Sequence, residues 1–511
     1  MTIMAQVSIA SFLARLTPVA AARQWPRYEV DHAGWDTVGR VLGQGGGDLI
    51  GLWAEEGGQV HLALRATNMA NPAILTTGVV NRQFPSVGRH HAPAIRLERA
   101  IRDLHGYVPA GTPDERPWLD HGAWGVRAPL GARTAAGLSD PAAYDFLPVT
   151  GQGLHQIPVG PVHAGIIEPG HFRFTANGET VARLEERLGY VHKGIDGLLA
   201  GADLDTAGRV VARISGDETV ALGFAFARAV EAALDIAVPA RAAVLRGVMA
   251  ELERIANHFG DIGAICNDAT FTLIHAYCGI FRERVLAACD RAFGHRLMMD
   301  RIVPGGVTQD ITITGVRAII ATLEDIAPRF AEVVRLYDDT PSLQDRTCTT
   351  GIVARDLVMR FAAGGHVGRA SGRDFDCRRD LAYPPYRGLA FKVPVLKAGD
   401  VDARVWVRIR EVEASMSMLR GWLLALPDGP VRVAVPRAGE RREGAAMIEA
   451  FRGDVLVWLS VAADGHLARC YVRDASWFQW PLLEAAIEGN IVADFPLCNK
   501  SFNCSYSGHD L

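Results

Sequence analysis

The chain has 511 residues, of which 49% are hydrophobic and 22% are charged, a composition typical of a globular protein with about two to four domains. Its formal net charge is −4 and it has no block of basic residues, so nothing indicates a nucleic-acid partner. No apolar run reaches the roughly 18 residues that a membrane span needs, so we expect attachment to a membrane only through partner proteins.

Residues 1–125 are predicted to form a small α/β domain that opens with a helix. Within it, residues 49–66 hold two apolar segments around Glu-Glu-Gly-Gly, the pattern of a β-hairpin. The glycine-rich stretch 43–47 lacks the spacing of a phosphate-binding loop and is predicted to be a plain loop. Residues 126–150 are rich in Ala, Pro and Gly and show no helical or strand period, so we expect a linker there.

Residues 151–511 are predicted to form a mainly helical domain with a small antiparallel sheet. Apolar residues recur at three- and four-residue steps after Pro239, which predicts a long helix to about residue 262. Two further helices are expected over 275–299 and 314–337, and two strands over 455–474. The fold class is therefore α+β, with the small N-terminal α/β domain joined to the helical one.

The eight cysteines form no Cys-x-x-Cys pair, so the usual zinc or iron–sulfur chelate is missing. We interpret them as reduced thiols that act as small buried apolar groups. Cys498 and Cys504, near the C-terminus, raise the question of whether they are metal ligands or the remains of a metal site.

Two sets of motifs resemble known respiratory proteins. Residues 84–125 combine Phe-Pro-Ser, Glu-Arg-x-Ile-x-Asp-x-x-Gly and Asp-x-Arg-x-Trp-Leu-x-His-Gly-x-Trp, and this stretch resembles the 30 kDa-type subunit of complex I. The later motifs resemble the 49 kDa subunit of complex I and the large subunit of formate hydrogenlyase and hydrogenase-4-type nickel–iron enzymes. They lie at 159–174, 187–196, 251–268 and 366–386. The order matches that of fused hydrogenase large subunits.

The resemblance implies a nickel–iron site held by Arg-x-Cys-Gly-x-Cys and a C-terminal Asp-Pro-Cys-x-x-Cys, because that metal pair needs thiolate donors. Here the first motif has Ser215 and Glu218 in place of the cysteines. At the C-terminus we match Asp494 and the following proline to the second motif, with Cys498 and Cys504 six positions apart. We therefore expect no metal ligand and no nickel–iron centre in this chain, and interpret the two thiols as structural remains of a site.

The resemblance also implies candidate catalytic residues for proton transfer, namely Glu168, His163 and Asp268. Glu168 matches a glutamate beside the hydrogenase metal, although it could be a water-exposed turn carboxylate. His163 matches a histidine of the complex I quinone loop, and its alternative is a hydrogen-bonded loop residue. Asp268 matches the aspartate that partners a quinone-site histidine, and an aspartate at a helix C-terminus favours a paired role. The tyrosine that binds the quinone head group falls at Gly216, so the complex I site is incomplete.

Three arginines are candidate cofactor-binding residues. Arg213 could pair with a carboxylate in the cavity, with a structural ion pair as the alternative. Arg369 and Arg378 lie in a charged segment that the resemblance places near the iron–sulfur cluster of a partner, where positive charge would tune the reduction potential. A solvated loop is the competing interpretation.

The sequence thus predicts an oxidoreductase subunit of the NADH:quinone oxidoreductase or hydrogenase-4 type, peripheral on the cytoplasmic face of the inner membrane. The implied partners are a small iron–sulfur subunit, a membrane anchor and antiporter-like subunits, with quinone as a candidate acceptor. No dinucleotide fingerprint is present, so NADH activity would belong to other subunits. A catalytically silent scaffold and, less well supported, an active hydrogenase are the alternatives.

Overall fold

The N-terminal part of the computed structural model is a four-stranded sheet with helices packed on it. The structure describes residues 8–137, 144–162 and 167–511. The strand order is β1-β4-β3-β2, with β1 parallel to β4 and the other pairs antiparallel. The strands are β1 Arg27–Glu29, β2 Gly47–Glu55, β3 Gln59–Ala66 and β4 Ala73–Gly78, and the helices are α1 Ile9–Leu13, α2 His32–Gly43 and α3 Ile95–His105.

The predicted hairpin is confirmed, because β2 and β3 pair antiparallel across the Glu-Glu-Gly-Gly turn. The expected linker holds only two short paired strands, β7 Val126–Arg127 and β8 Thr134–Ala135, among its described residues. A small parallel pair, β5 Gln83–Pro85 with β6 Val108–Ala110, lies beside α3.

The large C-terminal part is built around a helical bundle, as the sequence predicts. The three expected long helices are present as α7 Ala240–Asp268, α8 Thr272–Phe293 and α9 Ile313–Asp338. The other helices are α4 Ile195–Leu199, α5 Leu204–Val211, α6 Thr219–Leu234, α10 Pro341–Thr347, α11 Arg355–Phe361, α12 Gly365–Ala370, α13 Cys377–Asp380, α14 Val401–Leu424, α15 Ser476–Ala486, α16 Phe495–Phe502 and α17 Tyr506–Asp510. None of the helices in the described residues is long and apolar enough to cross a membrane.

The large part of the chain also contains two antiparallel three-stranded sheets. One consists of β9 Leu154–Val159, β10 His171–Asn177 and β11 Thr180–Arg187, in the order β11-β10-β9. The other consists of β14 Arg442–Glu449, β15 Asp454–Val461 and β16 Leu467–Arg473, in sequence order, and β15 is buried along its whole length. A short pair, β12 Ile302–Val303 with β13 Gly306–Val307, completes the strands. The mixed helix and sheet content confirms the α+β class.

Candidate functional site

The turn that leads into α6 meets the C-terminal end of the chain. Ser215 donates its hydroxyl to Asp217 Oδ1 at 2.8 Å, and its oxygen lies 3.0 Å from Ser505 Oγ. Gly508 at the start of α17 donates its N–H to the same Ser505 hydroxyl at 2.9 Å. The segment that carries Ser215 and the C-terminal segment are therefore joined here by a hydrogen bond between two hydroxyl groups.

Arg452, from the turn between β14 and β15, binds both of these segments. Its guanidinium donates to both oxygens of Asp217, at 3.0 and 2.5 Å, and to the Asn503 carbonyl at 2.6 Å. Burial opposes ionisation of Asp217, but the Arg452 charge holds the pKa of that carboxyl below its ordinary value. A bidentate ion pair therefore lies beside the serine contact, and it orients the C-terminal segment.

Glu218 is the second position where the related motif has a cysteine. Its side chain is fully buried and neither carboxyl oxygen has a hydrogen-bond donor, while Arg452 approaches only to 3.8 Å. Asp474, which follows β16, lies near the Glu218 carboxyl. It also lies against Gly508, where any side chain would collide with it. Burial, followed by the nearby Asp474 charge, raises the pKa of Glu218 well above its ordinary value, so this carboxyl favours the protonated form.

Glu168 reaches the same region from the loop before β10. Its Oε2 accepts the Ser507 N–H at 3.1 Å, which places the carboxyl against the start of α17. The side chain is exposed in the isolated chain. His163, the second predicted catalytic residue, lies outside the described residues.

Asp268 is the last residue of α7 and is half-buried. Burial raises the pKa of its carboxyl, while the charges of Lys500 and His275 oppose that shift. Its charged neighbours thus come from α16 and α8, and the structure joins it to neither Ser507 nor Glu168 by a hydrogen bond.

The three predicted cofactor-binding arginines occupy two different environments. Arg213 is exposed and forms a bidentate ion pair with Asp300. This contact is of the kind that the alternative interpretation of Arg213, a structural ion pair, describes. Arg369 in α12 and Arg378 in α13 are instead fully buried. The solvated-loop interpretation is therefore wrong for those two side chains.

Arg369 and Arg378 belong to one buried ion-pair network that ties α12 and α13 to the bundle and the sheet. Arg369 donates to Glu449 Oε1 at 2.7 Å and to Glu411. Arg378 donates to both oxygens of Glu251, at 3.1 and 3.2 Å. These guanidinium groups are engaged by carboxylates of the chain itself, which is how buried charges are normally compensated.

The two C-terminal cysteines face different surroundings. Cys498 in α16 lies against Gly351 and Arg404, whereas Cys504 has its sulfur 3.9 Å from Gln479 Oε1. Burial raises the pKa of Cys498 to about 12 and that of Cys504 well above its ordinary value, so both thiols stay protonated. Within the described residues, no group of three or more His, Cys, Asp or Glu side chains is arranged to hold a metal ion.

The structure shows which residues the linear motifs missed. The C-terminal segment that meets Ser215 begins at Cys504, whereas the sequence match placed the second motif at Asp494. The signal was present, because Cys504 and Ser507 have the spacing of a Cys-x-x-Cys pair with serine in the second place. Arg452 and Asp474 had no comparable signal, since they reach the site only through the pairing of β14, β15 and β16.

Comparisons with known proteins agree with this architecture. Residues 268–442 match the family described as respiratory-chain NADH dehydrogenase, 49 Kd subunit. Formate hydrogenlyase subunit 5 of Escherichia coli K12 is 30% identical over 448 residues, covering 84% of this chain and 77% of that protein. Hydrogenase-4 component G of the same organism is 28% identical over 490 residues, covering 94% and 84%. The archaeal membrane-bound sulfane sulfur reductase shares the fold, with a TM-score of 0.66 and 24% identity over 71% of this chain and 100% of that chain.

Proposed function

This chain belongs to the family of large subunits shared by complex I and the formate hydrogenlyase-type hydrogenases, and on that premise we propose that it transfers electrons within a membrane-bound oxidoreductase complex. The electrons would come from an iron–sulfur cluster in a small partner subunit, and the candidate acceptor is a quinone. Reduction of a quinone to a quinol takes two electrons and two protons, so the site must also supply protons. The other proposed partners are a membrane anchor and antiporter-like subunits, with this chain peripheral on the cytoplasmic face.

The contact between Ser215 and Ser505 carries the proposal against a nickel–iron centre. Nickel and iron in this family need soft thiolate donors. Hydroxyl groups hydrogen-bonded to each other and to Asp217 do not fit that requirement, and the only cysteine at the contact, Cys504, is protonated by its buried setting. An active hydrogenase is therefore the least supported alternative, and no step is assigned to such a metal pair.

Glu168, His163 and Asp268 are the proposed proton-handling residues. Glu168 has the best support, because its hydrogen bond to the Ser507 N–H places a carboxyl directly beside the segment that carries Ser505. A carboxyl there can pass a proton to a reduced acceptor when it is positioned within hydrogen-bond reach. Arg369 and Arg378 are proposed to influence the partner's cluster through their charge rather than by direct contact, since both side chains are fully buried and paired with carboxylates of this chain.

The first test is substitution of Glu168 by Gln in the intact complex. Gln keeps an acceptor for the Ser507 N–H but cannot carry a proton, so we expect quinone reduction to fall by roughly 100-fold with assembly unchanged. Glu179→Gln, at the exposed turn between β10 and β11, is the matched control and should keep wild-type turnover. Unchanged turnover in Glu168→Gln would count against the proton-transfer role.

The ion pair between Arg452 and Asp217 favours the scaffold alternative. If Arg452 and Asp217 only hold the C-terminal segment in place, the complex would reduce no acceptor through this chain. Metal analysis of the complex purified from membranes separates the three functions. Iron without nickel supports the redox complex, the absence of both supports the scaffold, and stoichiometric nickel would restore the hydrogenase.

A further inference from the structure

A small cavity lies where the N-terminal sheet region meets the large part of the chain, away from the candidate site. Its volume is about 200 Å³. One wall comes from the segments that precede β1 and β4, and includes the side chains of Gln24 and Asn71. The other wall comes from α6, β14 and the segment that follows α13. The cavity therefore exists only when the two parts of the chain pack together.

Two arginines line this cavity, and they have no carboxylate partner. Arg228 of α6 and Arg387 both lie on its wall, whereas no aspartate or glutamate is among the described residues that line it. Arg228 makes only a long contact, 3.5 Å from Nη1 to the Met447 carbonyl, and Arg387 donates from Nε to the Ala382 carbonyl at 3.1 Å. Within the part of the chain that the structure describes, the other donors of both guanidinium groups have no hydrogen-bond acceptor.

Tyr383 positions both arginines. The Arg228 guanidinium carbon lies 4.7 Å from the centre of the Tyr383 ring, a cation–π contact. The backbone N–H of Arg387 donates to the Tyr383 carbonyl at 3.1 Å. Tyr383 is itself buried, and its hydroxyl accepts the Glu449 N–H of β14 at 3.1 Å. A fixed aromatic residue thus holds two cations beside one cavity.

The positive charge of Arg228 is not neutralised within its own surroundings. Glu231, one turn further along α6, is engaged by the Arg246 guanidinium through both carboxyl oxygens and also accepts the Gly305 N–H. Burial, together with the charges of Arg246 and Arg387, lowers the pKa of Arg228 to about 10, so the side chain is still charged at neutral pH. An anion in the cavity would therefore stabilise both arginines, and the partly enclosed walls would strengthen that attraction.

We propose that this cavity binds a phosphate group between Arg228 and Arg387. A guanidinium pairs with phosphate through two parallel N–H···O bonds, and a phosphate group has enough oxygens to engage two guanidinium groups at once, whereas a carboxylate has only two oxygens. The amides of Gln24 and Asn71 supply further donors from the opposite wall. Inorganic phosphate and a phospholipid head group offer this same chemistry. Binding here would join the N-terminal region to α6 and β14, and it does not depend on the proposed electron transfer.

Isothermal titration calorimetry of the purified full-length protein in phosphate-free buffer tests this site. One probe is inorganic phosphate, and the other is a short-chain phosphatidic acid kept below its critical micelle concentration. Arg228→Gln and Arg387→Gln should each weaken binding by roughly tenfold or more, because each removes a charged donor pair. Arg387→Lys should lose less, since it keeps the charge but not the planar fork. Arg410→Gln, on the exposed face of α14 where Arg410 pairs with Glu413, removes the same charge elsewhere and should bind like the wild type.

The two probes also separate the sources of the phosphate group. Binding of inorganic phosphate that is weakened in both glutamine variants would support a site for the free anion. Binding of the phospholipid alone, with the same losses, would support a site for a lipid head group. The proposal would be overturned if the wild type bound neither probe, if both variants bound like the wild type, or if Arg410→Gln lost as much affinity as they do. Arg387 is exposed, so Arg387→Gln should keep the wild-type circular dichroism and urea midpoint and decides the test if Arg228→Gln fails to fold.

Discussion

Ser215 illustrates how a single side chain changes what this family's cavity can do. A thiolate at this position would donate electron density to a metal, whereas the hydroxyl both donates to Asp217 and lies within hydrogen-bond distance of Ser505. The two hydroxyl groups carry no charge, and the Asp217 carboxylate beside them is paired with Arg452. Glu218, which is buried beside this contact, has a pKa raised well above its ordinary value by burial and by the Asp474 charge.

Glu98 of α3 is a buried carboxyl that has hydrogen-bond donors but, among the described residues, no salt-bridge partner. It accepts from the Ser86 hydroxyl at 2.7 Å and from the N–H groups of Val87 and Gly88 at 2.6 and 3.1 Å. Burial nevertheless raises its pKa from 4.5 to about 7. The folded state thus holds the proton more tightly than the unfolded state, so the contribution to stability is complete below pH 4.5 and is lost as the pH rises to about 7.

Glu98→Gln should remove this pH dependence, because Gln mimics the protonated acid and can donate to Ser86. Relative to the wild type, the free energy of unfolding of the variant should rise by about 3 kcal/mol between pH 4.5 and 7 and then stay level. Urea unfolding of both proteins across this range measures the difference. A difference that does not change with pH would contradict the assignment of the titration to Glu98.

Individual site residues were predictable only where a motif carried them. Glu168 and Ser215 came from such motifs, and the structure places both against the C-terminal segment. Arg452 and Asp474 are far from the other site residues in sequence, and no motif marked them. The sheet of β14, β15 and β16 brings them to the site. The buried positions of Arg369 and Arg378 were also missed, because a charged stretch of sequence does not reveal carboxylates that other helices bring to it.

The long helices were the elements that sequence reasoning predicted best. The apolar stripe of α7 continues over many turns, and its periodicity is strong enough to identify the helix. The sheet of β9, β10 and β11 was missed, and its first strand, β9, has no fully buried residue and so lacks a buried alternating face. Strand β14 was missed for the opposite reason, because it is buried nearly throughout and shows no alternation.

The packing of α7 on α8 depends on a glycine at their contact. A side chain at Gly263 would place its Cβ 2.9 Å from Cys278 Cβ and 3.2 Å from the His275 backbone. Gly263→Ala should therefore lower the free energy of unfolding by about 1–3 kcal/mol despite the better helix propensity of alanine. Gly279 on α8 has open space around it, so Gly279→Ala should instead raise it by roughly 0.5–1 kcal/mol. Urea midpoints that move in the same direction for both would contradict this view of the contact.

At the scale of the whole molecule, the N-terminal sheet packs against the sheet of β14, β15 and β16 through aromatic and charged contacts. Trp53 of β2 stacks on Tyr471 of β16 with ring centroids 4.7 Å apart. Arg473 of β16 donates to the Ile50 carbonyl of β2 at 2.8 Å. The predicted linker at residues 126–150 did not indicate this interface. The contacting residues are separated by about 400 positions, and each strand is apolar in its own right.

The ion pair between Arg27 of β1 and Glu443 of β14 offers a measure of that coupling. The guanidinium donates to both carboxyl oxygens, at 2.9 and 3.1 Å, and both side chains are buried. Arg27→Met leaves the buried Glu443 carboxylate without its cation and should lower the free energy of unfolding by about 3–5 kcal/mol. Glu443→Met should cost less, because Arg27 keeps a contact with the exposed Glu29 at 3.5 Å. The double variant should lose less than the sum, since neither charge is then left alone.

The exposed pair of Arg296 and Glu283 is the control, where the same changes should cost less than about 1 kcal/mol. Urea unfolding of the four proteins measures the cycle, and strictly additive losses would mean that this pair does not couple the two sheets.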